Sequence, residues 1–215
     1  PTDPNVLTLD QVIEITHATG KPVSVDAAGQ IYPLENFGKY VKMGADFQCI
    51  AAKYMGAPHS TGFALGTKEV IDAIGRHSFV GYEGRRIRGI GRPHKIDRQE
   101  IMGVVAAVRR WMTLNHEDRL SSAEAQSQSI IKPLTGLPGV TAELNTNIKG
   151  HQPFGVLVSV DPDVVGFTND DLVTKLRDGD PSIWTRVSLD APVLEIHVFG
   201  LGEDQAELVG NAIAD

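Results

Sequence analysis

Short apolar runs alternate with amphipathic segments through the first half of the chain. A capping-box pattern at Thr8–Gln11 opens a helix that ends at Gly20. Strands are predicted over residues 23–25, 47–50 and 63–65, with helices over 34–43 and 67–74. Because strands and helices alternate, the pattern predicts an α/β fold of mostly parallel strands with helices between them.

The clearest helical periodicity begins after residue 97. Asp97–Glu100 is a second capping pattern. Apolar side chains then recur at helical spacing: Ile101, Val104, Val105, Val108 and Met112. We predict one long helix over about residues 98–131 that connects two domains, residues 1–114 and residues 115–215. The Gly- and Arg-rich segment 77–92 before this helix is predicted to be a solvated loop.

The pattern changes after Pro133. Four short segments are β-like, which predicts strands at 140–145, 155–160, 183–187 and 193–199. Helical segments are predicted at 169–176 and 203–214. This order predicts a small α+β domain with an antiparallel sheet.

The amino-acid composition indicates a globular protein and argues against several other classes. The 215 residues are 41% hydrophobic and 22% charged, which is ordinary for a globular protein, and the net charge of -7 argues against a broad nucleic-acid surface. The one cysteine, Cys49, excludes an internal disulfide and suits a cytoplasmic protein. No apolar run is long enough to span a membrane. The seven histidines are dispersed, so no metal site is expected.

Two side chains suited to chemistry follow predicted strands. Asp26 comes at the end of the first predicted strand, and Lys53 follows the second. Because ligands of open α/β sheets bind beyond the carboxyl ends of strands, both side chains are expected to face one crevice. Their spacing leaves two interpretations open, a partly exposed ion pair and a shared functional site.

The residues around them resemble the fold-type-I enzymes that use pyridoxal 5'-phosphate (PLP). The similarity is to the branch with selenocysteine synthase and the glucosaminate-phosphate ammonia-lyases. That branch has a strand ending in Asp-Ala-Ala-x-Gln, then a Lys, two residues, Gly-Gly-Pro and a further Gly. This chain has Asp26-Ala27-Ala28-Gly29-Gln30, then Lys53-Tyr54-Met55-Gly56-Ala57-Pro58, then Gly62.

The resemblance implies a role for each cofactor-site residue. Lys53 would form a Schiff base with PLP and act as the base at the substrate Cα, and Asp26 would keep the pyridine nitrogen protonated. The small Ala28 would pack on the ring. Further cofactor-binding candidates are Gln30, Ser60, Thr61 and Gly62.

Phosphate binding departs from the pattern of the relatives. Ala51 stands where they usually have a Ser that binds the cofactor phosphate. Ser60 and Thr61 are nearby hydroxyls that either take over this role or serve as turn residues.

The resemblance also suggests substrate contacts. Arg92 and Lys95 are candidates for the cofactor phosphate or a substrate acid group. Arg186 is a candidate for the substrate α-carboxylate, because guanidinium binds carboxylate in a bidentate fork. His197 stands where relatives often have an Arg.

The function implied is a PLP-dependent lyase or transferase acting on a small amino acid, with α,β-elimination and deamination favoured. An aminotransferase or an aldolase would use the same residues. A different class is a non-catalytic fragment or subunit, which Ala51 favours. The resemblance further implies a homodimer. The chain starts at Pro1 and lacks the half that precedes the Asp strand in these enzymes, so we expect the carboxyl-terminal part of a longer enzyme.

Overall fold

A three-stranded sheet organises the first part of the chain. The computed structural model describes residues 5–84, 88–146, 154–189, 191–202 and 204–215. The chain divides into two compact units, one ending at Leu114 and the other beginning at Asn115. The sheet of the first unit has the order β1 (Ser24–Asp26), β2 (Phe47–Ala51), β3 (Gly62–Gly66).

Only one of the two strand pairings in this sheet is parallel. β1 and β2 are parallel, with Asp26 opposite Cys49, whereas β2 and β3 are antiparallel, with Ala51 opposite Gly62. The antiparallel pairing differs from the expected parallel order. Residues 52–61 between β2 and β3 are too few for a crossover back to the start of the sheet, so the chain turns and pairs in the opposite direction.

Local capping signals set the helices of the first unit. In α1 (Leu9–Ala18) the capping box is formed, because Thr8 N donates to Gln11 Oε1 at 2.9 Å and Gln11 N donates to Thr8 Oγ1 at 3.4 Å. The predicted 34–43 helix is a 3₁₀ turn at Leu34–Asn36 followed by α2 (Lys39–Lys42). α3 spans Lys68–His77.

The segment predicted as a loop contains a short helix. α4 (Phe79–Glu83) begins after Ser78, whose Oγ accepts a hydrogen bond from Gly81 N at 3.3 Å. The sequence analysis predicted a loop because the segment around α4 is rich in Gly and Arg, a composition typical of loops. Residues 85–87 of the segment lie outside the described residues.

The predicted long helix is two helices. α5 (Arg98–Thr113) ends at an extended Leu114, and α6 (His116–Leu134) starts after it. Asn115 Oδ1 accepts hydrogen bonds from Glu117 N at 3.1 Å and from Asp118 N at 3.4 Å. Asn115 is therefore the N-cap of a new helix, a role that its short polar side chain favours over a helix interior.

Helix α5 is fixed to the sheet by a buried tryptophan. Trp111 is 2% exposed, and its Nε1 donates to Ile31 O at 2.9 Å. Ile31, Ile50 and Met55 are buried in the same cluster. The core of the first unit thus holds the segments that follow β1 and β2 in place.

The second unit is an antiparallel sheet covered by helices. Its strands have the order β4 (Val140–Asn145), β5 (Gly155–Val160), β6 (Leu194–His197), which confirms the predicted antiparallel α+β arrangement. With α6, the other helices are α7 (Pro162–Val165), α8 (Asn169–Asp178) and α9 (Gln205–Ala214). The predicted 183–187 strand is not formed as such, since a single bridge joins Val187 to Leu194.

The ranges that the structure describes contain neither a candidate membrane span nor a candidate metal cluster. None of the helices there is both long and apolar enough to cross a bilayer. No three His, Cys, Asp or Glu side chains of these ranges are grouped as metal ligands.

Candidate functional site

Strand topology brings Asp26 and Lys53 to one edge of the first sheet. Asp26 is the last residue of β1, and Lys53 lies in a 3₁₀ helix, Ala52–Met55, that starts directly after β2. Because β1 and β2 are parallel, both residues follow carboxyl ends at the same edge. β3 is antiparallel and begins there, which adds Gly62. The arrangement matches the position at which α/β sheets bind ligands.

Asp26 presents an exposed carboxylate with one oxygen engaged. Its Oδ1 accepts a hydrogen bond from Ala28 N at 3.0 Å and from Cys49 Sγ at 3.4 Å. Within the described part of the chain, Oδ2 has no hydrogen-bond partner. One face of the carboxylate is therefore oriented by the protein, and the other oxygen is available to an N–H donor.

The neighbouring thiol is affected by this carboxylate. Burial raises the pKa of Cys49, because it disfavours the thiolate. The hydrogen bond to Asp26 and the negative charge of Asp26 raise it further. Cys49 is thus a neutral donor to Asp26 near neutral pH, a contact that sequence analysis did not find because it depends on strand register.

Lys53 is half-buried, and its amine lies near an aromatic ring. Its Nζ lies 5.3 Å from the centroid of the Tyr54 ring. It forms no ion pair or hydrogen bond with any residue that the structure describes, so the Asp26–Lys53 ion pair is not present. The 3₁₀ helix that carries it ends at Gly56, whose φ of 89° requires the left-handed region that glycine tolerates.

The same sheet edge is bordered by three consecutive residues that differ in their contacts: Ser60, Thr61 and Gly62. Thr61 Oγ1 donates to Pro58 O at 2.6 Å, which makes Thr61 a turn residue. Ser60 is exposed, and its hydroxyl makes no hydrogen bond within the described ranges. A Cβ added to Gly62 would lie 2.7 Å from Ile50 O, so close strand approach requires glycine there.

Gln30 and Ala28 complete the motif after β1. Gln30 is half-buried, and its Oε1 accepts a hydrogen bond from the Tyr40 hydroxyl. Ala28 O accepts a hydrogen bond from Ala51 N at 3.0 Å, which ties the segment after β1 to the end of β2. The motif is therefore a connected piece of backbone at the sheet edge.

Arg92 and Lys95 lie on aromatic rings of α4. The Arg92 guanidinium is 5.7 Å from the ring centroid of Phe79 and 5.5 Å from that of Tyr82. Lys95 Nζ is 4.8 Å from the Phe79 centroid. Both side chains are exposed, and no described contact joins them to Asp26 or Lys53.

Arg186 belongs to the second unit. It is exposed and lines a cavity of about 370 Å³ together with Thr185, Glu195 and His197. His197 Nε2 lies 3.9 Å from Glu195 Oε1. The structure therefore groups this substrate-binding candidate with residues of β6.

Two curated proteins are similar to this chain over most of its length, although no family model matches it. It is 30% identical over 203 residues to the 5'-C-glycyluridine monooxygenase-decarboxylase of a Streptomyces species, covering 94% of this chain and 47% of that protein. It is 26% identical over 182 residues to the D-glucosaminate-6-phosphate ammonia lyase of Salmonella typhimurium, covering 84% of this chain and 44% of that protein.

The fold comparison agrees with the sequence comparison. The structure of D-glucosaminate-6-phosphate ammonia-lyase matches with a TM-score of 0.71 at 23% identity, over 99% of this chain and 54% of that chain. The chain has the fold of the fold-type-I PLP-dependent enzymes. The resemblance seen in the Asp26 and Lys53 motifs is thereby confirmed. The chain spans about half the length of the curated relatives that it matches.

Proposed function

We propose that this chain contributes the Lys- and Asp-bearing part of a PLP-dependent lyase or transferase that acts on a small amino acid. The observation that carries the proposal is the amine of Lys53, which has no ion-pair or hydrogen-bond partner among the described residues, at the sheet edge where Asp26 exposes a carboxylate oxygen. A Lys amine and an anionic partner are the groups that PLP requires from a protein. The residues present therefore fit this cofactor.

Bound PLP supplies an electron sink for negative charge at the substrate Cα. In the proposal, Lys53 holds the cofactor covalently and moves the proton at Cα, and Asp26 Oδ2 accepts the pyridinium N–H. Ala28 offers a small surface beside the ring. Relatives bind the cofactor phosphate with a Ser at the position of Ala51. Ser60 is the hydroxyl proposed to take over this role, because the Thr61 hydroxyl already donates to Pro58 O.

Two reaction types have specific support from the relatives. Elimination or deamination is supported by the ammonia lyase relative. A decarboxylation coupled to oxygenation is supported by the Streptomyces relative, which is 30% identical over 94% of this chain. Aminotransferase and aldolase reactions use the same two groups and remain alternatives.

Further parts of the proposal concern what the chain binds and where it acts. Arg186 is proposed for the substrate carboxylate, and Arg92 and Lys95 for a phosphate or acid group. We propose a cytoplasmic homo-oligomer in which the other half of the same enzyme completes the site. The match of this chain to about half of each relative supports that arrangement.

The decisive experiment locates the cofactor. The full-length protein is incubated with PLP, reduced with borohydride, digested and analysed by mass spectrometry. A phosphopyridoxyl group on Lys53 is expected, together with a visible absorbance band before reduction that Lys53→Ala abolishes. Lys68→Ala is the matched control, because Lys68 is exposed and paired with Asp72.

An adduct on another lysine would contradict the assignment of Lys53. Absence of both band and adduct in the full-length protein would favour the non-catalytic subunit instead.

A further inference from the structure

Helix α5 approaches the loop that follows Lys53 closely at a glycine, Gly103. A Cβ added to Gly103 would lie 2.6 Å from Pro58 Cδ and 2.9 Å from Pro58 Cγ. Carbon atoms in favourable contact are about 3.5–4.0 Å apart, so an added methyl group would clash with the proline. Both atoms belong to a ring, which cannot rotate away as a flexible side chain does. The close approach of helix and loop therefore requires glycine at position 103.

The same face of α5 is fixed in the core of the first unit. Gly103, Ala107 and Trp111 are spaced four residues apart, so they lie on one face of the helix. Ala107 and Trp111 are buried in one cluster with Met55. Pro58, in contrast, is exposed. A larger side chain at position 103 would therefore displace the exposed loop and leave the buried helix in place.

That loop is hydrogen-bonded to the backbone that carries Lys53. Thr61 donates to Pro58 O twice, from its N at 3.2 Å and from its Oγ1 at 2.6 Å. Thr61 O accepts a hydrogen bond from Ala52 N at 3.0 Å, and Ala52 O accepts one from Ala57 N at 3.2 Å. Ala52 is buried and begins the 3₁₀ helix that contains Lys53. A displacement of Pro58 is therefore transmitted to the residue before Lys53.

We propose that Gly103 is a positioning residue for Lys53, because its contact with Pro58 sets where the loop, and with it the Lys53 amine, lies at the sheet edge. The inference rests on the proposed function and deepens it, since it adds a residue from a helix that holds none of the candidate cofactor residues. Gly103 acts through the loop and contacts neither cofactor nor substrate. Glycine is less favourable than alanine in a helix interior, and the contact with Pro58 accounts for glycine at this position.

The first test measures the contact without PLP, by urea unfolding of the full-length protein. Gly75→Ala is the matched control, because Gly75 lies in α3 and a Cβ added there meets no atom within 4 Å. Since alanine favours a helix over glycine, Gly75→Ala should raise the urea midpoint, whereas Gly103→Ala should lower it. Pro58→Ala removes the two ring atoms, so Gly103→Ala should no longer lower the midpoint in that background. Midpoints shifted equally by Gly75→Ala and Gly103→Ala would contradict the contact.

The second test measures PLP binding by visible titration and by borohydride trapping on Lys53. Gly103→Ala should weaken PLP binding by about tenfold or more, because small displacements of a reacting group have large effects. The double variant Gly103→Ala with Pro58→Ala should bind PLP as tightly as Pro58→Ala alone, since the clash is gone. Gly75→Ala should bind PLP as the wild type does. This recovery separates positioning of Lys53 from a general loss of stability.

Two results of the PLP titration would overturn the role of Gly103: wild-type affinity in Gly103→Ala, or no recovery in the double variant. The outcome is distinguishable from that of the proposed function. A Lys53 adduct in the wild type together with unchanged PLP binding by Gly103→Ala contradicts this inference alone. A wild type that forms no adduct contradicts the proposed function and, with it, the role of Gly103.

Discussion

Cys49 Sγ lies 3.4 Å from Asp26 Oδ1, and the two residues are opposite each other on the parallel strands β1 and β2. The thiol therefore helps to orient the carboxylate proposed to hold the cofactor ring. Burial and then the carboxylate raise the pKa of the Cys49 thiol. The reactivity of the Cys49 thiol therefore reports on the charge of Asp26 at the candidate site.

The first prediction concerns the reactivity of that thiol. Because the pKa of Cys49 is raised, first by burial and then by Asp26, its alkylation by iodoacetamide is expected to be slower in the folded than in the urea-unfolded protein near neutral pH. Asp26→Asn removes the negative charge, lowers this pKa and should speed alkylation by less than about tenfold, the factor of one pKa unit. Equal rates in the wild type and Asp26→Asn would contradict the contact.

The second prediction concerns Asp26 in the proposed reaction. Asp26→Ala leaves the pyridine nitrogen without its anionic partner, so turnover should fall by more than about tenfold, or about 1.4 kcal/mol of activation free energy. PLP affinity, measured by visible titration, should fall only modestly. Asp26→Glu should be milder because the charge is kept. Turnover of Asp26→Ala at the wild-type rate would show that Asp26 is misassigned.

The third prediction tests whether Lys53 is needed for its positive charge or for its reactive amine. Lys53→Arg keeps a cation at the sheet edge, but guanidinium neither condenses readily with an aldehyde nor gives up its proton near neutral pH. We expect no visible band and nearly no turnover in Lys53→Arg, with an unchanged thermal midpoint. Lys68→Arg should behave as the wild type. Recovery of the band in Lys53→Arg would mean that another lysine carries the cofactor.

The fourth prediction concerns the attachment of α5 to the sheet. Trp111→Phe removes the donor to the buried Ile31 carbonyl, and an unsatisfied buried acceptor costs about 1–3 kcal/mol. Met112→Ala on the same helix is the control, because Met112 is 49% exposed and surface substitutions change stability by about 0.5 kcal/mol or less. Urea unfolding followed by circular dichroism compares them. Equal destabilisation by both substitutions would show that the Trp111–Ile31 hydrogen bond does not stabilise the fold.

The fifth prediction concerns acid stability. Asp46 Oδ2 accepts hydrogen bonds from Val23 N and His17 Nε2, each at 2.8 Å, and these contacts lower the pKa of Asp46 in the order given. A carboxyl whose pKa is lower when folded stabilises the protein above its unfolded pKa, about 3.9, and loses that contribution as pH falls through the folded pKa.

Unfolding free energy should therefore drop below about pH 4 in the wild type, and less steeply in Asp46→Asn. His17→Gln should have the smaller effect, since the Val23 amide remains in place. The measurement is chemical denaturation over a pH series. An identical acid slope in the wild type and Asp46→Asn would rule out this linkage.

The sequence by itself determined the features that depend on residues close together in the chain. Caps at Thr8 and Asp97 form as predicted, because the donor and acceptor lie within one helical turn. The β-like segments 140–145 and 155–160 form β4 and β5 with their bounds as predicted. The motifs at Asp26 and Lys53 led to the fold family, since the residue types and their order match the pattern of that family.

Only the tertiary structure decided the features that join distant residues. The antiparallel direction of β3, the Cys49–Asp26 contact and the Trp111–Ile31 hydrogen bond all depend on strand register or on packing across long stretches of chain. Helical periodicity alone did not separate α5 from α6, because a polar side chain such as Asn115 fits both an exposed helix position and an N-cap. Which of these Asn115 adopts depends on whether its oxygen meets the backbone N–H groups that follow, and the folded chain places it there.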